Sequence, residues 1–188
     1  MTEIFKKRTE KLILLGLIIP IIGIVLSYYR GFNWLFNSLS DLGIFSPFFN
    51  YGVIIGGICL GIFTLNNLTQ KLVGFFARFL MLISSASLIL IGVFRKDYPL
   101  PIHPFSALAF FLALSLGQIL VGRRIIRDCQ SVGYFTILAA LIIYSTWFSY
   151  LLLWLVDKRF GIAIPEIISL IVTLIWIFVF LLKFKKKN

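Results

Sequence analysis

Residues Leu72–Phe94 read LVGFFARFLMLISSASLILIGVF, a run interrupted by one charge, Arg78. A helix needs about 20 mainly apolar residues to cross the hydrocarbon core of a bilayer, and this run meets that length. Working outward, five further runs of the same kind occur: approximately Leu12–Tyr29, Phe48–Leu65, Pro104–Val121, Val132–Val156 and Ile162–Leu182. The connections between them are 5 to 18 residues long, which leaves no room for a soluble domain. The expected architecture is all-α: one polytopic domain over residues 1–188, a compact bundle of six transmembrane helices in which each span satisfies its own backbone groups.

Composition agrees. The chain is 60% hydrophobic and 13% charged with a mean hydropathy of +1.02, against about 25% charged in ordinary globular domains. The net charge of +11 would suggest nucleic acid in a soluble protein, but its placement tells of topology instead. One face of the six-span arrangement holds Lys6, Lys7, Arg8, Lys11, Lys71, Arg78, Arg123, Arg124, Arg127, Lys183, Lys185, Lys186 and Lys187, against three acids, Glu3, Glu10 and Asp128. The other holds Arg30, Arg95, Lys96, Lys158 and Arg159 against Asp41, Asp97, Asp157 and Glu166. The positive-inside rule places the first face, and with it both termini, in the cytoplasm of a multi-pass cell-membrane protein. Nucleic acid is not an expected partner, since Lys183–Lys187 carries no interleaved aromatic series. The first span is expected to be retained, because SYYRGFN follows it where a signal peptide needs small residues. Cys59 and Cys129 fall at different depths and form no disulfide, zinc or haem pattern.

Small residues four apart, Gly52 with Gly56 and Gly57 with Gly61 on the second span and Ala109, Ala113 and Gly117 on the fourth, allow close backbone approach where no hydrophobic force draws helices together. The second and fourth spans are therefore expected inside the bundle, with the first, fifth and sixth facing lipid more.

The polar side chains gather on the outer face. Three segments lie there, NSLSDLG (Asn37–Gly43), RKDYPLPIHP (Arg95–Pro104) and DKRFGIAIPE (Asp157–Glu166), and the second contains the one histidine. Pro47, Pro104 and Pro165 each fall near the first turn of an even-numbered span, where a missing N–H costs little, and Ser46 suits an N-cap. Asn37, Ser40, Asp41, Asn50, Arg95, Asp97, His103, Asp157 and Glu166 are the candidate ligand-binding residues. Helix N-termini together with Arg30, Arg95 and Lys96 suit an anionic headgroup. The competing reading is that the acids only cap helices and pair with neighbouring bases.

The segment Asn37–Gly43, followed by Phe49-Asn50-Tyr51-Gly52, by Gly92-Val93-Phe94 and by His103 leading into Ala107, Phe110 and Phe111, resembles the domain-of-unknown-function 998 family of archaeal and bacterial integral membrane proteins, over roughly the first to fifth spans. Arg95 departs from the proline expected after the Gly92-Val93-Phe94 stretch. Frag1-like membrane proteins, which look distantly similar, are linked with membrane lipids; the resemblance thus implies lipid handling but no particular reaction.

Three functional classes follow. The favoured one is a polar cup on the outer face that binds a membrane lipid headgroup, or docks another membrane protein or a second copy as a homodimer, with no cofactor, no metal and no catalytic residue assigned. The second is a metal-dependent hydrolase acting on lipid, with His103 and Asp41, Asp97, Asp157 or Glu166 as ligands; it lacks a second histidine and any H-x-x-x-H pair. A Ser38 or Ser40 hydroxyl with His103 and an aspartate is a further catalytic arrangement, without a nucleophile elbow to support it. The third class, a small-solute transporter, lacks repeats, broken mid-membrane helices and deep ionisable groups.

Overall fold

The computed structural model of the chain describes residues 3–157 and 160–184. Lys158 and Arg159 and the tail lysines Lys185, Lys186 and Lys187, which enter the charge asymmetry, lie outside the described residues. The regular structure among the described residues is all helical: α1 (Glu3–Ser27), α2 (Leu39–Phe45), α3 (Pro47–Asn67), α4 (Gln70–Val73), α5 (Phe75–Val93), α6 (Ile102–Ile125), α7 (Gln130–Val156) and α8 (Ala163–Val179), closed by a π-helical turn over Phe180–Phe184. Five segments are long and apolar enough to cross a membrane, namely α3, α5, α6, α7 and Ala163–Lys183; in α1 the described apolar stretch is Ile18–Ser27.

Two boundaries differ from the sequence reading, each for a backbone reason. The run Leu72–Phe94 is not one helix. Gly74 has φ +85°, outside the helical region, so it closes α4 and opens α5 one residue later. The connection that carries Asn37–Gly43 is not irregular throughout: Leu39–Phe45 winds into α2, because Asp41 accepts the amide of the N-cap Ser38 at 2.8 Å and so holds the first turn in helical form. Elsewhere the helix starts follow local chemistry: Ser46 is the N-cap of α3 with its hydroxyl accepting from the Phe48 amide, Pro47 is the first helical residue, and Pro104 and Pro165 lie in the first turns of α6 and α8.

Neighbours in the chain are neighbours in space: α1 packs on α3, α3 on α5, α5 on α6, α6 on α7 and α7 on α8, while α2 lies across one end against α1, α3 and α8. Small residues set the spacing. Gly52 and Gly56 face Pro20 of α1, and Gly61 faces the Ser85 side chain. A Cβ on Gly57 would stand 3.1 Å from the Ser85 carbonyl oxygen and 3.0 Å from the Ile89 amide nitrogen. At that same crossing the Ser85 hydroxyl donates to the Gly57 carbonyl at 2.8 Å. On α6, Ala113 is buried, Ala109 is half-buried and Gly117 faces Met81 of α5.

The last span turns further inward than its apolar composition suggests. It buries Glu166, Ser169, Thr173, Trp176 and Ile177, with Trp176 edge-on to Phe63 of α3 and donating to Thr136 of α7 at 2.9 Å. α7, by contrast, exposes Leu138, Leu141, Phe148, Leu151 and Leu152. Cys59 is buried within α3 and Cys129 is the N-cap of α7; neither is in a disulfide.

Replacing Gly57 by Val would force the α3 and α5 backbones apart, and overpacking of this kind costs about 1–3 kcal/mol. Thermal unfolding in detergent is expected to show that loss for Gly57→Val and a smaller one, about 0.6 kcal/mol, for Ser85→Ala, which removes only the interhelical hydrogen bond.

Candidate functional site

The three polar connections meet at one end of the bundle, here called the polar end. The segment before α2 is stitched to the α7–α8 connection by two main-chain bonds, Gly161 amide to Leu35 carbonyl at 2.7 Å and Ala163 amide to Asn37 carbonyl at 3.0 Å. Only glycine permits that approach, since a Cβ on residue 161 would lie 2.2 Å from the Asn37 carbonyl oxygen. Tyr150 adds a hydrogen bond from its hydroxyl to the Phe160 carbonyl.

On that platform α2 is held at four points. Glu166, buried in the first turn of α8, accepts the Leu39 amide at 2.6 Å. A helix leaves its first amides without partners, and here a carboxylate from another helix takes one of them. The α5–α6 connection contributes Lys96, whose ammonium donates to Asp41 Oδ1 at 2.5 Å and to Ser38 Oγ at 2.9 Å. At the far end of α2 the Asn50 amide donates to the Gly43 carbonyl at 2.9 Å, while the Phe49 amide donates to Ser27 of α1.

The fourth point is His103, in the first turn of α6 and buried. Its Nδ1 lies 2.8 Å from the Phe94 carbonyl oxygen and its Nε2 lies 2.9 Å from Ser40 Oγ. A carbonyl can only accept, so the Nδ1 position carries the proton, and in the neutral form of the ring Nε2 is the acceptor for the Ser40 hydroxyl.

The structure therefore brings Asn37, Ser40, Asp41, His103 and Glu166 together around the first turn of α2, with Asn37 Nδ2 3.4 Å from Asp41 Oδ2. Asn50 braces the other end of that helix. Arg95 and Asp97 form an exposed ion pair with each other, with Arg95 Nε to Asp97 Oδ1 at 3.0 Å, and Asp157 is the C-cap of α7. Among the described residues no three His, Cys, Asp or Glu side chains are grouped as a metal would require.

Beside the cluster runs a cleft of about 490 Å³ between α6, α7 and the start of α8. Ser40, Lys96, His103 and Glu166 form its polar end. Pro104, Ala107, Leu108, Phe111, Leu112 and Ser115 line it along one face of α6, opposite Ile143, Tyr144 and Trp147 of α7. From 104 to 115 at about 1.5 Å per residue, the lined face of α6 runs about 16 Å, roughly half the thickness of a hydrocarbon core. A smaller apolar cavity of about 90 Å³ lies on the other side of Ser40, Ala107, Phe111 and Glu166, toward α1 and α3.

Several participants carry no sequence signal. The Phe94 carbonyl and the Leu39 amide are main-chain groups, and Tyr144 and Trp147 look like ordinary packing residues. Ser38 did have one, since Ser38-x-x-Asp41 is the pattern of a capping box.

Burial raises the Asp41 carboxyl, but the hydrogen bonds from Lys96 and from the Ser38 amide outweigh it and hold the group below its ordinary value of 3.8. A carboxyl lowered in the folded state adds stability above its unfolded value and loses it as the pH falls through the folded one. Thermal stability is therefore expected to drop below about pH 3.8, and Asp41→Asn to remove part of that acid-dependent loss while lowering stability at neutral pH.

A family model described as Protein of unknown function (DUF998) matches residues 13–183. No curated protein matches the chain, and no solved structure does.

Proposed function

The chain belongs to the DUF998 family, and for this multi-pass helical membrane protein we propose that the cleft binds a membrane lipid, its headgroup at the polar end and one chain along α6. The match reaches through the last span, beyond the part of the chain in which the residues alone suggest the family.

The observation that carries the reading is the lining of a single cleft. Four polar side chains, one of them a lysine, stand at one end, and apolar and aromatic side chains, from about three turns of α6 and from the facing side of α7, make up most of the rest. Ligand sites typically have this character, with a mostly apolar wall and a few placed polar groups in a volume of about 300–1,000 Å³. The gradient along the cleft suits an amphiphile entering sideways from one leaflet. Lys96, half-exposed beside Asp41, offers a charge to a phosphate or carboxylate headgroup.

Our topology has six spans, with α1 as the first and the polar end facing outward. The excess of basic residues at the opposite end supports that orientation, with both ends of this chain in the cytoplasm. Reporter fusions at either end are expected to read cytoplasmic, and a periplasmic or extracellular reading would reverse the assignment.

Native mass spectrometry of protein extracted in mild detergent is expected to show one retained lipid. Ala107→Phe, which fills the cleft, should abolish retention in protein that still elutes as a folded species. Lys96→Ala should weaken retention of anionic lipids about tenfold, as for loss of one hydrogen bond to a charged group. Lipid-free wild-type protein would refute the reading.

A further inference from the structure

We infer that Ser40 and His103 form a nucleophile–base pair, which cleaves the carboxylic ester of an acyl lipid held in the cleft. This rests on the lipid-binding reading of the same cleft and adds a reaction to it.

The geometry has the three parts that nucleophilic catalysis by serine requires. The nucleophile and base are within hydrogen-bond reach, with Ser40 Oγ 2.9 Å from His103 Nε2. The base is oriented by a third group, because Nδ1–H donates to the Phe94 carbonyl at 2.8 Å, and in the neutral ring this leaves Nε2 as the acceptor facing the serine. Both side chains are buried from bulk solvent, yet both line the cleft. A purely structural bond between α2 and α6 would not need to open onto a cleft. Lys96, the one cation among the residues lining that cleft, has a third N–H beyond its bonds to Asp41 and Ser38 with which to oppose negative charge developing on a carbonyl oxygen. Glu166 is a positioning residue: by accepting the Leu39 amide it fixes the turn that presents Ser40.

The chemistry balances with water as the only co-reactant. Ser40 Oγ attacks the ester carbonyl carbon as its proton passes to His103 Nε2. The C–O bond to the alcohol breaks, and the leaving oxygen takes the proton from Nε2, so the acyl group remains esterified to Ser40. Water then gives a proton to Nε2 and attacks the acyl carbon. The carboxylic acid departs and Ser40 recovers its proton from Nε2. A carbonyl in place of the usual carboxylate behind the histidine stabilises the transient imidazolium less, so turnover is expected to be slow compared with a Ser-His-Asp enzyme.

The test is a long-chain alkyl fluorophosphonate added to the purified full-length protein, read by intact mass and peptide mapping, with lipid retention measured on the same samples by native mass spectrometry. Expected are one adduct, on Ser40, none in Ser40→Ala, and labelling slowed about 100-fold or more in His103→Ala, the typical contribution of a general base, with both variants still eluting as folded species. Retained lipid with no adduct in the wild-type protein would overturn the dyad and leave lipid binding standing. An adduct elsewhere, or an unchanged rate in folded His103→Ala, would also overturn it. A wild-type protein with neither adduct nor lipid would overturn both readings.

Discussion

The carboxylate of Glu166 meeting the amide of Leu39 at 2.6 Å is the contact on which the rest of the polar end depends. A short helix lying across the mouth of a bundle has unpaired amides at its start, and near a bilayer few waters are at hand to satisfy them. Glu166 meets that need from α8, and in doing so joins residues 127 positions apart in the chain. Once the first turn of α2 is placed, Ser40 faces His103 and Asp41 faces Lys96, so α6 and the α5–α6 connection are drawn to the same point. The cleft is what remains between α6 and α7 once α2 closes the top.

The polar residues in this arrangement divide by environment. Asp41 and Lys96 are partly solvated, and such a pair adds modest stability and acts mainly to set the register of α2. Glu166, Ser40 and His103 are buried, where each unmet hydrogen bond would be costly, and each has a partner. A buried polar network at the head of a mostly apolar cleft gives the cleft a chemical polarity along its length.

Much of this was legible in the sequence. Apolar run length gave the helices, because only helices close their own hydrogen bonds in lipid. Proline and serine marked the starts of α3, α6 and α8, and odd-to-even connectivity placed the three polar segments together. Asn37, Ser40, Asp41, His103 and Glu166 do meet, whereas Arg95 and Asp97 satisfy each other locally and Asp157 ends its own helix. Composition cannot separate these cases, since a charged loop residue looks the same whether it points inward or toward water. The break at Gly74 depends on one backbone angle within an apolar run, and α2 depends on hydrogen bonds to side chains distant in sequence. The pairing of Ser40 with His103 spans 63 positions with no intervening motif, so it emerges only when the fold brings the first turn of α2 to the first turn of α6.

The account stands on the cleft being where a lipid chain resides. Photocrosslinking with a lipid that carries a diazirine in its acyl chain, mapped by mass spectrometry, reads that location directly. The account predicts adducts on the cleft face, at Ala107, Phe111 and Tyr144, lost when Ala107→Phe fills the space. Adducts confined to outward-facing side chains such as Phe105 and Leu116, unchanged by that substitution, would contradict it.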